Sequence, residues 1–177
     1  MNKITFIIMF AAVSLIAGDS KWEKRKDSYG NTIQIKRTNW NFEFTGKKFH
    51  LGNDCNGTIA RGGGSTNISF EKGNKVVIES SGEIPNTECG YPMKYETDSG
   101  TYKISGDLMK VSMNKRKISV KFTKQSKNCK NSTETPQYTE ELTMEAYDCK
   151  SKDGSVAKVI KLIGADRESD VLYGVYK

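Results

Sequence analysis

The sequence contains one histidine, His50, among its 177 residues. A serine hydrolase needs a histidine base, and no serine here occupies the centre of a G-x-S-x-G pattern. Small ribonucleases usually transfer protons with histidine, often with two, so the single His50 counts against that class as well. His50 lies in an alternating stretch between Phe49 and Leu51 and is expected to face solvent. No catalytic residue is predicted.

Other chemical signatures are also missing. No C-x-x-C pair with nearby histidines occurs, which argues against zinc. The glycine run in residues 61–66 lacks both the lysine before Ser/Thr and the following helical pattern of a nucleotide-binding loop. The acidic residues Glu141 and Glu145 fall on the solvated side of an alternating stretch. Carboxylates are common on such a face, so their presence does not indicate a glycosidase. We therefore expect no metal and no cofactor.

The longest apolar run, residues 4–16, is shorter than the roughly 18 residues needed to span a membrane. It follows the positive Lys3 and ends at the small residues Ala17 and Gly18, the order typical of a secretory signal peptide. We predict that residues 1–18 are a signal peptide and that residues 19–177 form a single secreted domain without a transmembrane anchor.

Four cysteines, Cys55, Cys89, Cys129 and Cys149, fall in the exported part. An oxidising compartment lets thiols pair, so two disulfides are expected. Sequence alone leaves three pairings open. Cys129 and Cys149 flank what reads as one long hairpin, which favours Cys129–Cys149 together with Cys55–Cys89.

Alternation of apolar and polar residues dominates the chain and predicts an all-β fold, a single antiparallel β-barrel or sandwich of roughly eight to ten strands. Expected hairpins turn at residues 45–48, 71–74, 105–107, 114–117 and 152–155. Trp40, Phe42 and Phe44 alternate in residues 39–45, which reads as an early strand. Residues 21–28 read as a short helix or an irregular lead-in.

The chain has 28 lysines and arginines against 21 aspartates and glutamates. An excess of basic residues favours the binding of acidic partners, although a net charge also increases solubility. Lys117 and Lys121 share the outer side of a predicted strand and, with the adjacent Arg116, form a candidate polyanion-binding face. Aromatic residues do not interleave with them, so nucleic acid is not predicted as a partner.

Three N-glycosylation acceptors, at Asn56, Asn67 and Asn131, are predicted to lie at the surface of an exported glycoprotein. The match is a short motif and gives only the possible sites of modification.

The apolar face of the predicted sheet is rich in aromatic residues. A barrel of about eight strands either fills its interior with such side chains or holds one small ligand, and both outcomes stay open. The export signal, two expected disulfides, the early strand with Trp40 and the segment at residues 100–107 resemble the lipocalin family in outline. The resemblance implies a non-enzymatic carrier of a small hydrophobic ligand, with Trp40, Phe42, Phe44 and Tyr102 beside that ligand.

The alternative is a secreted interaction protein, an effector, inhibitor or adhesin. Such a protein would recognise an extracellular protein or a polyanionic glycan through exposed loops at residues 62–66 and 82–92 and through the basic face. The two functions differ in where the partner binds, inside the fold or on its outer surface.

Overall fold

The computed structural model describes residues 21–26, 32–52, 55, 64–85, 88–124, 126–163 and 172–175, and every helix or strand it describes is a β-strand. The all-β prediction is confirmed. The strands are β1 (Glu23–Lys26), β2 (Thr32–Thr38), β3 (Lys48–Gly52), β4 (Gly64–Glu71), β5 (Lys75–Glu83), β6 (Met93–Ser105), β7 (Leu108–Lys121), β8 (Ser132–Glu134), β9 (Glu140–Lys150), β10 (Val156–Ile163) and β11 (Leu172–Val175).

The strands form one sheet in the order β1-β2-β9-β10-β11-β3-β4-β5-β6-β7-β8, with every described pairing antiparallel. A further pairing joins β7 to the first half of β9, from Glu140 to Glu145. The pairings therefore run in a circuit through β3, β4, β5, β6, β7, β9, β10 and β11, which we call the eight-strand ring. β1, β2 and β8 extend it outside.

The main core cluster is built from alternate residues of the ring strands, on the face opposite the exposed lysines. Its buried strand members are Phe49, Ile68, Phe70, Val76, Ile78, Tyr102, Met109, Val111, Met113, Leu142, Met144, Ala146, Ile160 and Leu162. This is the two-residue period of a strand with one buried face. We call the face that carries this cluster the inner face.

Three predicted hairpins are confirmed: β4–β5, β6–β7 and β9–β10. Their turns contain Gly73, Gly106 and Gly154 at φ values of 77°, 65° and 86°. This left-handed backbone conformation costs glycine less conformational energy than other residues. The glycines therefore favour turns at the same positions where the alternating strand pattern stops.

The turn predicted at residues 114–117 is wrong, because β7 continues through it. The register between β6 and β7 shifts between Ser99 and Gly100, where Asn114 is an extra residue on β7. A Cβ atom added at Gly100 would lie 2.1 Å from the Ser112 carbonyl oxygen. The polar stretch is a β-bulge, which inserts an unpaired residue without ending the strand.

The strand and hairpin predicted from residues 39–45 into β3 are also wrong. Residues 39–47 have no strand pairing, although Gly46 donates its N–H to the Phe70 carbonyl at 2.8 Å. The aromatic residues alternate because this segment packs against the ring interior. The lead-in of residues 21–28 forms β1 over part of its length, as an edge strand on β2.

The favoured disulfide pairing is wrong as well. The bonds are Cys55–Cys149, with Cα atoms 5.3 Å apart, and Cys89–Cys129, with Cα atoms 5.7 Å apart. The β5–β6 and β7–β8 connections lie at the same end of adjacent antiparallel strands, which brings Cys89 to Cys129. Cys149 lies on β9 beside β2 and β10, so no hairpin joins it to Cys129. Two disulfides indicate an oxidising setting.

A second apolar cluster lies between β2, β9 and β10, on the outer side of the ring. It contains Ile33, Ile35, Val159 and the Cys55–Cys149 bond. Tyr147 packs against it and donates a hydrogen bond to Glu145 at 2.6 Å. Burial, with this hydrogen bond, raises the pKa of Tyr147 to about 12. The phenol therefore stays protonated at neutral pH, as a donor to the carboxylate.

Candidate functional site

The four residues predicted to line a ligand site meet in one aromatic cluster. Trp40, Phe44 and Tyr102 are buried and Phe42 is partly buried. The Trp40 ring stacks on Phe42 at a centroid distance of 5.8 Å and meets Phe44 edge-on at 5.4 Å. Phe44 in turn meets Tyr102 edge-on at 5.8 Å. Such geometries are the favourable ones for aromatic pairs.

Phe70 on β4 belongs to the same group of rings, which is part of the main core cluster. Its ring contacts Phe44 at 5.1 Å, Tyr102 at 5.5 Å and Trp40 at 6.1 Å. Residues 39–47 therefore cover one end of the ring interior and insert their aromatic side chains into it. We call this region the aromatic end.

One polar atom in the aromatic cluster has no partner. The Trp40 side chain is 94 % buried, and its indole Nε1 finds no hydrogen-bond acceptor within the described part of the chain. Buried tryptophan N–H groups usually have an acceptor, and leaving one without costs about 1–3 kcal/mol. The orphan donor thus points to an acceptor supplied from outside the described chain.

A lysine–aspartate ion pair lies beside the exposed side of the aromatic cluster. The Lys158 Nζ lies 5.5 Å from the centre of the Phe42 ring and 2.5 Å from the Asp148 Oδ1. Phe42 is the one partly exposed member of the four predicted residues. Phe42 and the Lys158–Asp148 pair are therefore partly exposed parts of the aromatic end.

Sequence reasoning missed a charged cluster further along the inner face. The Arg116 guanidinium donates two hydrogen bonds to Asp98, each 2.7 Å long, and lies 3.1 Å from Glu96. Its Cζ is 3.5 Å from the centre of the Tyr138 ring, and the Tyr138 hydroxyl donates to Glu140. We call this set the Arg116 cluster.

Burial and pairing set the protonation states in the Arg116 cluster. The hydrogen bonds to Asp98 raise the pKa of Arg116 well above its ordinary value, against the opposing effect of burial. Burial, with the hydrogen bond to Glu140, raises the pKa of the Tyr138 phenol above its ordinary range. Arg116 is thus fixed as a cation and Tyr138 as a neutral donor.

The candidate polyanion face is brought together in part. Lys117 and Lys121 lie exposed on the outer face of β7, as predicted. Arg116 lies on the opposite, inner face of the same strand, in contact with Asp98. It is therefore separated from the two lysines, because successive side chains of a strand point to opposite faces.

The glycosylation acceptors lie in different surroundings. Asn131 is exposed, and its side-chain oxygen accepts the Phe122 N–H at 2.9 Å. Asn67 lies on β4 with a buried amide oxygen that has no donor among the described residues. Asn56 and the signal peptide predicted at residues 1–18 fall outside the described residues.

The residues weighed for catalysis are placed as follows. His50 is half-buried on β3, opposite Asn67 of β4 in the register. Glu141 accepts a hydrogen bond from Ser112 at 2.9 Å, and Glu145 pairs with Arg37 at 3.0 Å. Within the described ranges, no group of three or more His, Cys, Asp or Glu side chains is arranged to hold a metal ion.

Comparison with protein-family models, curated proteins and solved structures found no match to this chain. No helix with the length and apolarity of a membrane span was found in the residues that the structure describes.

Proposed function

We propose that this protein is a secreted, non-enzymatic binding protein that holds a small apolar ligand bearing a hydrogen-bond acceptor at the aromatic end. The observation that carries the proposal is the Trp40 indole N–H, which is buried among aromatic rings without an acceptor in the described chain. A ligand carbonyl or hydroxyl oxygen beside Nε1 would supply that acceptor.

The aromatic end suits an apolar ligand because it is built from five aromatic rings, those of Trp40, Phe42, Phe44, Phe70 and Tyr102. Large aromatic side chains offer much apolar area, and a few placed polar groups orient a ligand against it. Here Trp40 Nε1 is such a polar group. The lipocalin-like outline is consistent with this reading, since it implies a ligand held in the interior.

Entry requires Phe42 to move. Trp40, Phe44 and Tyr102 are buried, whereas Phe42 is partly exposed and stacks on the Trp40 ring. Rotation of Phe42 away from Trp40 would open a space against the indole ring. The adjoining Lys158–Asp148 ion pair would then lie at the edge of the opening. It would leave the space between Phe42 and Trp40 accessible to an apolar ligand.

Export belongs to the same proposal. The pattern in residues 1–18 supports passage through a secretory pathway, and two disulfides suit an oxidising destination. A carrier that works outside the cell would encounter apolar molecules at low aqueous concentration. A buried aromatic site would retain them because it removes their apolar surface from water.

The test compares two ligands that differ in one acceptor. Trp22 is 42 % exposed, so a Trp22→Phe variant leaves Trp40 as the sole tryptophan reporter. We expect a long-chain methyl ketone to change Trp40 fluorescence and to bind about ten-fold more tightly than the alkane of equal length, because only the ketone satisfies the indole N–H.

Trp40→Phe is the matched variant, because it keeps an aromatic ring and removes the N–H. Binding to the Trp40→Phe protein is followed by calorimetry, and the ketone should there lose its advantage over the alkane. Equal affinities of the ketone and alkane for the Trp40 protein, or no binding of either, would contradict the proposed site.

A further inference from the structure

We propose that the outer face of β4–β7 binds an anionic polysaccharide, at a polar cavity flanked by Lys117 and Lys121. This site lies on the opposite side of the sheet from the aromatic end. The proposal is therefore independent of the ligand proposed for the interior.

Cross-strand register aligns the outward side chains in two polar rows. The first row contains Asn67, Glu79, Thr97 and Lys117, and the second contains Ser65, Ser81, Tyr95 and Ser119. Neighbouring strands lie about 4.8 Å apart, so each row extends over roughly 14 Å. The rows run across the strands and present hydroxyl, amide and charged groups side by side.

A cavity of about 230 Å³ lies between the two rows. Asn67 lines it, and the Asn67 amide oxygen is buried without a donor in the described part of the chain. Ser65 and Ser81 share a hydrogen bond of 2.9 Å at the same cavity. The serine hydroxyls that line the cavity are suited to the hydroxyl groups of a sugar, which both donate and accept.

Tyr95 adds an aromatic ring to the cavity. Its side chain is 41 % exposed, and the Lys121 Nζ lies 5.2 Å from the ring centre. An exposed ring with hydroxyls around it can pack against the C–H face of a sugar while the polar groups bind its hydroxyls. The single ring provides no succession of stacking platforms, so the surface does not fit a single-stranded nucleic acid.

Two exposed lysines beside the cavity favour an anionic ligand, because the two carboxylates that line the cavity, Glu79 and Glu96, are already paired with cations. Glu79 is paired with Lys48 at 2.7 Å. Lys117 and Lys121 are exposed, and no carboxylate lies within ion-pair distance of either among the described residues. The two lysines are four residues apart on one strand, about 13 Å. Sulfate or carboxylate groups spaced along a sugar chain would complement both lysines at once.

The experiment measures binding of a size-defined heparin oligosaccharide to the exported protein at physiological salt. Because Asn67 is also a predicted glycosylation acceptor, the protein is made in a host that adds no N-linked glycans. We expect Lys117→Ala with Lys121→Ala to weaken binding at least ten-fold and to reduce its salt dependence. We expect Tyr95→Ala to weaken binding about five-fold with an unchanged salt dependence.

The matched control is Lys103→Ala with Lys110→Ala, which removes the same charge from exposed positions of β6 and β7, away from the cavity. That variant should bind within two-fold of the parent protein. The proposal is overturned if the control pair loses as much affinity as Lys117 and Lys121. It is also overturned if inorganic polyphosphate of equal charge binds as tightly as the oligosaccharide, or if the parent protein does not bind.

Discussion

Replacing Asp98 with alanine is expected to lower the free energy of unfolding by about 3–5 kcal/mol. Asp98 is 3 % exposed and accepts two hydrogen bonds of 2.7 Å from Arg116. Without it, the guanidinium loses its bidentate partner on the inner face, where water cannot fully replace the carboxylate. Urea denaturation of the disulfide-bonded protein measures the change.

The control removes both partners together. Asp98→Leu with Arg116→Met puts apolar groups where the ion pair was, and the double variant should recover most of the stability that Asp98→Ala loses. The physical reason is that Asp98→Ala removes the bidentate partner of a partly buried guanidinium and leaves it only the contact with Glu96 at 3.1 Å, whereas the double variant removes both charges of the pair. A loss below about 1 kcal/mol in Asp98→Ala, or a double variant no more stable than Asp98→Ala, would refute this description of the Arg116 cluster.

Removal of the Cys55–Cys149 bond by replacing both cysteines with alanine is expected to cost about 4 kcal/mol. The bond closes a segment of 94 residues and lies fully buried in the second apolar cluster. Most of the expected loss comes from the larger freedom of the unfolded chain. Calorimetric or urea unfolding of the variant and the parent protein measures it.

The Cys89–Cys129 bond provides the comparison. It closes 40 residues, so loop entropy makes its contribution about 0.8 kcal/mol smaller. We therefore expect the Cys89→Ala, Cys129→Ala protein to be the more stable of the two double variants. The opposite order would contradict this entropic account, and four titratable thiols in the native protein would contradict both bonds.

The sequence allowed the strands with a clear two-residue period to be predicted, because that period follows from burial of one face. Glycine turns at Gly73, Gly106 and Gly154 then located three hairpins. The same reasoning failed at residues 114–117 and 39–45. A bulge and a polar turn have similar composition, and an alternating aromatic segment can pack across the end of the ring without pairing as a strand.

Long-range pairings could not be predicted. The β7–β9 contact that completes the eight-strand ring, and the choice of disulfide partners, depend on which ends of distant strands come together. Neither leaves a local pattern. The alternation of buried and exposed residues along one strand does not show which distant strand it pairs with. The pairing of β7 with β9 therefore could not be predicted.

The candidate site was predicted in the same uneven way. Trp40, Phe42, Phe44 and Tyr102, which the lipocalin resemblance places beside a ligand, do meet in one aromatic cluster. Three of them lie in a segment predicted as a strand that has no strand pairing, and their role in binding a ligand stays a prediction. Proximity in the sequence groups Arg116 with Lys117 and Lys121, but Arg116 lies on the opposite face of β7. Its partner Asp98 lies eighteen residues earlier on another strand, and only the β6–β7 register brings the two together.

The most direct test of the binding proposal is the mass of the folded, exported protein under native conditions compared with its mass after denaturation. We predict that the native mass is larger by one small molecule, either as purified or after incubation with the methyl ketone, and that the Trp40→Phe protein retains less of the ketone. Equal native and denatured masses in both samples would contradict a ligand site at the aromatic end.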